Sequence, residues 1–373
     1  MWPNYKHSII NITNSLYRFY GVEHTHCSLD TLDTFLTKSF DHVCVVLLDG
    51  FGVNLLKTHL KKEAFLNTHL QDTLTSVFPA TTVAATTAIL TGLTPYETGY
   101  LGWYQYFKND DVYYTVFLNQ DYYNPSKPLK NSFYKDHFGY TPFYQLIEQE
   151  TGIKGKAFYP FPIDKNGYKV VEDGFKSWID FTFKHDKTIS YFYVTEPDLT
   201  EHQHGVKSAE TKSVVQRLNT LFETQQNHLR NNTLVILTAD HGLTDVNPIP
   251  LLDYHDITST FKHLPSNEPR ATFFFIKPGR NKDFERCFNE HFGKDFKLFT
   301  TESFLSKHYF GEGKPHDNIR ACSGDYIAVA HGSYYFSLDP NKAHKAHHAG
   351  TKNDEMLVPL IVFTDTRGNI NDI

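Results

Sequence analysis

Continuous apolar runs are the clearest pattern along the chain. Runs of this kind are typical of strands that are buried on both faces of a parallel sheet. They occupy residues 42–48, 189–194, 233–239 and 356–363. The last run contains Pro359, which predicts that this strand lies at an edge of the sheet or that it begins there.

Segments between these runs have the patterns of helices. Residues 208–230 carry apolar side chains at the spacing of one buried helix face, namely Val214, Val215, Leu218, Leu221 and Phe222. Residues 82–91 are rich in Ala and Thr, and Gly92 follows where a glycine commonly ends a helix. This alternation predicts an α/β, doubly wound fold with a mostly parallel central sheet and helices on both faces.

Two stretches fit this core poorly and predict inserted segments within one catalytic domain of residues 1–373. Residues 103–140 are dense in aromatic residues, Asn and Asp, which indicates an insertion built as a hairpin or lid. By default their rings are core or lid, and the functional alternative is a wall on which a nucleobase stacks. Residues 250–345 mix short strand-like pieces with Pro, Asn and Lys turns, as an inserted subdomain would.

Composition narrows the range of partners. The formal net charge of −6 gives no basic surface, so no nucleic acid polymer is expected. A small phosphorylated substrate is compatible with this net charge, because bound divalent ions reverse the local sign of the charge.

The cysteines are far apart, which favours reduced thiols in a cytoplasmic protein. The first residues lack a signal-peptide pattern, and no run of about 18 apolar residues predicts a membrane span. The oligomeric state is left open.

Side chains that can bind metal ions follow three of the apolar runs. In open α/β sheets, ligands bind beyond the carboxyl ends of the strands, so these side chains are expected to converge. Zinc takes about four ligands from His, Cys and carboxylate groups. Two groups of candidates result, which are Asp49, Asp240, His241 and a threonine oxygen, and Asp198, His202 and His348.

The threonines at the helix start and Asp49 each have an alternative interpretation that involves no metal ion. Packing gives no reason for the adjacent hydroxyls of Thr81 and Thr82 at a helix start, whereas a metal-activated nucleophile would need that position. The structural alternative is that threonine favours helix starts and bonds back to the preceding turn. Asp49 could instead precede a dinucleotide fingerprint, but Leu55 stands where that motif requires a glycine.

The motifs together resemble those of the alkaline phosphatase superfamily, and within it the type I phosphodiesterase/nucleotide pyrophosphatase branch. They occur in the family's order and span positions 49 to 363. They are residues 48–50 (Leu-Asp-Gly), 78–82 (Phe-Pro-Ala-Thr-Thr) with 91–93 (Thr-Gly-Leu), 196–205 (Glu-Pro-Asp-Leu-Thr-Glu-His-Gln-His-Gly), 238–242 (Thr-Ala-Asp-His-Gly), and 348–350 (His-Ala-Gly) ahead of 355–359 (Glu-Met-Leu-Val-Pro).

The resemblance implies a two-metal hydrolase that cleaves a phosphodiester or pyrophosphate bond of a small molecule such as a nucleotide. It implies a phosphothreonine intermediate, and the motif spacing assigns the nucleophile to Thr82, with the neighbouring Thr81 as the alternative. Two divalent ions, Zn²⁺ with Mn²⁺ as the alternative, would clamp the attacking and leaving oxygens. Their implied ligands are Asp49, Thr82, Asp240 and His241 for one ion, and Asp198, His202 and His348 for the other.

Several points stay open within this resemblance. Ala85, three residues after the nucleophile, carries no amide for a phosphoryl oxygen, and that role passes to Thr86, to a backbone N–H or to no group. A phosphomonoesterase or phosphonate hydrolase on the same site is the alternative activity. The lack of a clear counterpart of the monoesterases' arginine favours a diester. His347 could replace His348 as a ligand. An inactive binding protein or a phosphomutase with the same fold are more distant alternatives.

Overall fold

The computed structural model describes residues 1–129, 139–338 and 343–365. Its strands, numbered in chain order, are β1 His42–Leu48, β2 Leu70–Thr75, β3 Tyr104–Phe107, β4 Val112–Thr115, β5 Gln120–Asp121, β6 Lys154–Phe158, β7 Thr188–Val194, β8 Thr233–Thr238, β9 Thr244–Asp245, β10 Asn247–Pro250, β11 Phe261–Glu268, β12 Ala271–Ile276, β13 Phe296–Thr300, β14 Tyr326–Ala330, β15 Tyr334–Ser337, β16 Ala346–His347 and β17 Leu357–Thr364.

The helices of the described residues are α1 Ile9–Tyr20, α2 Asp30–Phe35, α3 Val53–His59, α4 Phe65–Thr68, α5 Thr82–Thr91, α6 Pro95–Thr98, α7 Phe143–Thr151, α8 Val171–Lys184, α9 Asp198–His204, α10 Ala209–Gln225, α11 His255–Thr258, α12 Asn281–Phe292, α13 Thr301–Leu305, α14 Ile319–Cys322 and α15 Asn353–Met356. Two 3₁₀ turns cover Gln226–His228 and Leu251–Asp253. Among the described residues, none of these helices combines the length and the apolar character that crossing a bilayer requires.

The central sheet has six strands in the order β2-β17-β8-β1-β7-β6. β8, β1, β7 and β6 run parallel to one another, and β17 is antiparallel to both of its neighbours. Every residue of β1, β7 and β8 is buried, as expected for apolar strands with both faces covered. The structure therefore confirms the predicted α/β class, with a mixed sheet in which parallel pairs predominate.

The expectation that Pro359 marks an edge strand was wrong, although Pro359 does lie near the start of β17, as its third residue. β17 is an interior strand, paired with β2 on one side and with β8 on the other. The proline is tolerated because Pro359 is opposite Thr73 of β2, whereas pairing with β8 begins only at Ile361. The lost N–H therefore falls outside the stretch of β17 that pairs with the buried strand β8.

A second, seven-stranded antiparallel sheet has the order β13-β14-β12-β11-β3-β4-β5. It combines the two predicted insertions, because β3 to β5 lie within residues 103–140 and β11 to β14 within residues 250–345. The junction is the pairing of Asn267 in β11 with Tyr104 in β3. Residues 130–138 of the first insertion lie outside the described residues.

The second sheet packs onto the segment that leads into α5 and onto the segment that follows β16. Phe273 and Phe275 of β12 share one hydrophobic cluster with Phe78, Ala349 and Met356. The turn between β11 and β12 is thereby held beside the carboxyl edge of the central sheet. This contact brings residues of the second sheet close to the candidate site.

Candidate active site

Three buried carboxylates meet at the carboxyl edge of the central sheet. Asp49 follows β1, Asp240 follows β8, and Asp198 begins α9 shortly after β7. These strands are neighbours in the order β8-β1-β7, so their ends lie side by side. The backbone N–H of Asp198 donates to the Asp49 carbonyl oxygen at 3.1 Å, which ties two of the segments together.

Gly50 makes this close approach possible. Its φ of 76° lies in the left-handed region, and its N–H donates to Asp240 Oδ1 at 3.1 Å. A Cβ at this position would lie 2.9 Å from the Asp198 Cα, which is too close for a side chain. The glycine of the Leu-Asp-Gly motif therefore has a steric reason in addition to its backbone conformation.

His241 lies at the centre of the first ligand group. Its Nδ1–H donates to the Gly242 carbonyl at 3.3 Å, which leaves the Nε2 lone pair free. Nε2 is 3.2 Å from Thr82 Oγ1 and 3.5 Å from both Asp49 Oδ1 and Asp240 Oδ2. Thr82 Oγ1 is also 3.4 Å from Asp49 Oδ1. Ligands about 2.1 Å from a tetrahedral zinc ion are about 3.4 Å apart, so these spacings suit such an ion.

The second ligand group joins the first through His348. The Nδ1–H of His202 donates to the Ala346 carbonyl at 2.8 Å, and its Nε2 lies 3.4 Å from Asp198 Oδ1. The ring of His348 is 5.2 Å from that of His202 and 4.0 Å from that of His241, between centroids. Possible ligand atoms of Asp198, His241 and His348 all lie within 4.8 Å of one another. The two predicted groups therefore form one continuous cluster.

His347 also belongs to this cluster. Its possible ligand atom lies within 4.8 Å of those of His202 and His348, and its Nδ1 accepts a hydrogen bond from the His348 N–H at 3.0 Å. The sequence offered His347 only as a replacement for His348. The structure places both rings at the site, because β16 and the residue after it lie against the ligand cluster.

The cluster has the unsatisfied atoms that a bound cation would need. Among the described residues, the buried atoms Asp198 Oδ1, Asp240 Oδ2 and His348 Nδ1 have no hydrogen-bond partner. Burial, with the nearby charges of Asp240 and Asp198, raises the pKa of the Asp49 carboxyl well above its ordinary value. Packed carboxylates repel one another unless positive charge lies between them. The donor set therefore fits divalent metal ions.

His348 and Asp198 are held in the forms that metal ions require. Burial, with the charges of His241 and His347, lowers the pKa of His348 far below its ordinary value, so this ring is neutral. Burial alone would raise the pKa of Asp198, but the neighbouring His202 lowers it. Neutral imidazole and ionised carboxylate are the ligand forms of these side chains.

The predicted nucleophile lies at the start of α5. Thr82 is the first helical residue, and the N–H groups of the first turn receive no side-chain cap. A helix start of this kind attracts an anionic group. Thr81 is turned away, with its hydroxyl donating to Glu268 Oε1 at 2.6 Å. The Thr86 hydroxyl donates to the Thr82 carbonyl at 2.6 Å, so its proton is engaged within the helix, and its phosphoryl contact stays a prediction.

Several residues around the cluster were missed by the sequence analysis. The Tyr193 hydroxyl donates to Asp49 Oδ2 and orients that carboxylate. Glu268 bonds to Thr81, the residue before the predicted nucleophile, and the buried Arg270 forms an ion pair with Glu355. Tyr193 lies within an apolar run, Glu268 ends β11, and Arg270 lies between β11 and β12. The local signal was a charged residue on each side of Pro269, which does not identify the partners of Glu268 and Arg270.

The raised pKa of Asp49 predicts how the metal-free protein responds to pH. A carboxyl whose pKa is higher in the fold than its ordinary 3.8 contributes stability that is complete below that value. This contribution is lost as the pH rises through the folded-state pKa. We expect the unfolding midpoint of the metal-free protein to fall over this range, and Asp49→Asn to reduce the fall.

Thermal unfolding followed by circular dichroism across the acid to neutral range would measure this effect. Asp173→Asn on the exposed side of α8 is the matched control and should leave the profile unchanged. Saturating Zn²⁺ should remove the fall in the unmutated protein. An identical slope in Asp49→Asn and in the unmutated protein would contradict the assignment.

The fold and this site define an α/β domain of the alkaline phosphatase type. Residues 43–353 match the family of type I phosphodiesterases/nucleotide pyrophosphatases. The match covers most of the chain, and the chain therefore belongs to that family. The family predicted from the sequence motifs is thereby confirmed.

Curated relatives are longer than this chain. The chain is 25% identical over 300 residues to the venom phosphodiesterase of Naja atra, which covers 72% of the chain and 33% of the relative. It is 30% identical over 87 residues to ectonucleotide pyrophosphatase/phosphodiesterase family member 7 of Mus musculus, which covers 21% of the chain and 20% of the relative. The chain thus matches a third or less of the length of either protein.

Solved structures support the fold. Murine ectonucleotide pyrophosphatase/phosphodiesterase 5, as an inactive variant in complex with AMP, superposes with a TM-score of 0.64 at 19% identity, covering 85% of this chain and 87% of the other. The human counterpart gives a TM-score of 0.64 at 17% identity, with coverage of 86% and 87%. At this identity, the likeness concerns the fold.

Proposed function

We propose that this chain is a two-metal hydrolase that cleaves a phosphodiester or pyrophosphate bond of a small molecule through a phosphothreonine intermediate on Thr82. The observation that carries the proposal is the position of Thr82 Oγ1 at a helix start, 3.2 Å from His241 Nε2 and 3.4 Å from Asp49 Oδ1. Family membership supports this class of bond over a phosphomonoester or a phosphonate.

Two divalent cations fit the ligand cluster. One would be held by Asp49, Thr82, Asp240 and His241. The other would be held by Asp198, His202 and His348, since His202 lies 3.4 Å from Asp198 and His348 is grouped with each of them, with His347 beside them. Mixed imidazole and carboxylate donors favour Zn²⁺, with Mn²⁺ as the alternative. When bound, such ions supply the positive charge that lowers the pKa of the Thr82 hydroxyl and offsets the charge of the phosphoryl oxygens.

The residues of the chain then have distinct tasks. Asp49 Oδ1 accepts a hydrogen bond from the Thr82 hydroxyl. This bond orients Oγ1 toward the substrate. Oγ1 gives its proton to water and bonds to phosphorus as the bond from phosphorus to the leaving oxygen breaks, and that oxygen leaves with a proton from water. Water then attacks phosphorus, the Oγ1–P bond breaks, and the hydroxyl is restored. The unbonded N–H groups at the start of α5 hold the phosphoryl oxygens during both steps.

A nucleotide is the substrate class that we propose. The related murine structure contains AMP. In this chain, the rings of Trp103 and Phe117 meet edge to face at 6.3 Å, and each residue is 37% exposed. The backbone N–H of Trp103 donates to Glu268 Oε1, which also accepts a hydrogen bond from the hydroxyl of Thr81, beside the proposed nucleophile. An aromatic surface therefore lies next to the site, where a base can stack.

Turnover of nitrophenyl esters would test the activity. We expect metal-free protein to be inactive and to gain hydrolysis of bis-p-nitrophenyl phosphate when Zn²⁺ or Mn²⁺ is added. p-Nitrophenyl phosphate, at the same concentration, should be the poorer substrate. Absence of turnover of either ester with two ions bound, as shown by metal analysis, would refute the proposed function. A faster reaction with the monoester would favour the alternative activity.

A further inference from the structure

Glu268 is a buried carboxylate beside the candidate site that the proposed mechanism does not use. It ends β11 and is 2% exposed. Its Oε1 accepts two hydrogen bonds of 2.6 Å, from the Thr81 hydroxyl and from the Trp103 N–H. Thr81 immediately precedes the proposed nucleophile, so this carboxylate is fixed next to the start of α5.

The position of Glu268 is set by a rigid turn. Its carbonyl oxygen accepts the Thr272 hydroxyl at 2.6 Å. Two residues further on, Arg270 is fully buried and forms two hydrogen bonds with Glu355, of 2.7 and 2.8 Å. The remaining guanidinium contacts are the carbonyl oxygens of Tyr334 and Gly332. Arg270 is therefore engaged elsewhere and does not neutralise Glu268.

The second oxygen of Glu268 is not engaged by the bonds that fix the first. Within the described residues, Oε1 takes both side-chain hydrogen bonds of this carboxylate, and Oε2 takes none. Burial raises the pKa of Glu268 to about 7. Among the nearby charges, that of His202 lowers this pKa and that of Asp198 raises it. In turn, the charge of Glu268 raises the pKa of His202. The carboxylate thus lies within electrostatic range of the second ligand group.

A fixed negative charge at this place affects substrates according to their own charge. A phosphodiester carries one negative charge on its phosphoryl group, whereas a phosphomonoester carries two at neutral to alkaline pH. In a partly buried site, a charge several ångströms away changes the binding of one additional charge by about 10- to 100-fold. A carboxylate therefore disfavours the second charge, whereas an arginine would favour it.

We infer that Glu268 is a specificity-determining residue, which makes the site select monoanionic phosphodiesters and reject dianionic phosphomonoesters. This inference rests on the proposed function. It assigns to one residue the substrate preference that Ala85 and the lack of a suitable arginine left open. Thr81 and Trp103 hold the carboxylate in place, and its charge makes the selection.

Glu268→Gln tests the inference because glutamine retains an oxygen that can accept both hydrogen bonds and removes only the charge. The readout is kcat/KM of the Zn²⁺-loaded protein for methyl p-nitrophenyl phosphate and for p-nitrophenyl phosphate, which share one leaving group. The assay is run at about pH 8.5, above the ordinary range of carboxyl groups. Glu223→Gln, which removes an exposed carboxylate from α10, is the matched control.

We expect Glu268→Gln to raise kcat/KM for the monoester by about 10- to 100-fold, with less than about a threefold change for the diester. Glu223→Gln should change neither value. An unchanged ratio, or an equal loss for both esters, would overturn the inference and leave Glu268 with a structural role. Absence of turnover by the unmutated protein would instead refute the proposed function.

A second measurement covers the case in which Glu268→Gln does not fold. Methylphosphonate and its monomethyl ester carry two and one negative charges, and both can be tested as inhibitors of the unmutated protein. The inference predicts that the monoanion inhibits at least as strongly as the dianion. Inhibition by the dianion that is stronger by about 10-fold or more would overturn it.

Discussion

Replacing Thr82 with alanine is expected to lower kcat by about 10³- to 10⁶-fold, because the proposed mechanism forms the bond to phosphorus through its Oγ1. The fold and most of the metal content should remain, since the ligand cluster keeps its carboxylates and histidines. Loss of Oγ1 removes one contact of 3.2 Å to His241 and one of 3.4 Å to Asp49. Steady-state kinetics, circular dichroism and metal analysis by mass spectrometry would measure these properties.

Two controls separate chemistry from folding. Thr82→Ser retains a hydroxyl and should keep part of the activity. Thr87→Ala removes another buried hydroxyl from α5, one that has no hydrogen-bond partner within the described residues, and should leave kcat unchanged. Full activity of Thr82→Ala with both ions bound would show that the nucleophile is another group.

Replacing Arg270 with methionine is expected to destabilise the protein by about 3–5 kcal/mol, because Glu355 would keep a buried charge without its partner. Both side chains are fully buried. Glu355 Oε1 also accepts the Gly350 N–H at 2.7 Å, two residues after His348. The change should therefore lower the occupancy of the second metal ion as well. Urea unfolding and metal analysis would measure the two effects.

The double variant Arg270→Met with Glu355→Gln is the control for this prediction. Glutamine removes the buried charge and keeps an oxygen for the Gly350 N–H, so a large part of the lost stability should return. A double variant as unstable as Arg270→Met alone would show that packing, and not the unpaired charge, causes the loss. An unchanged unfolding midpoint in Arg270→Met would contradict the prediction itself.

The site shows how far local patterns reach. Asp49, Asp198 and Asp240 could be selected because each follows an apolar run, and parallel strands deliver their ends to one edge. Glu268 could not be selected, since its neighbours become visible only when β11 pairs with β3. Tyr193 was hidden for the opposite reason: it lies within a buried strand, where an aromatic residue is explained by packing alone.

The sequence by itself determined the buried strands, the helix that begins at Thr82, the family and the order of the candidate ligands, because periodicity and short motifs are local properties of the chain. The tertiary structure decided the rest. It joined the two insertions into one sheet, put Pro359 in an interior strand, brought His347 to the cluster and fixed Glu268 beside the proposed nucleophile. These features depend on pairing and burial between distant segments, whose partners no local pattern specifies.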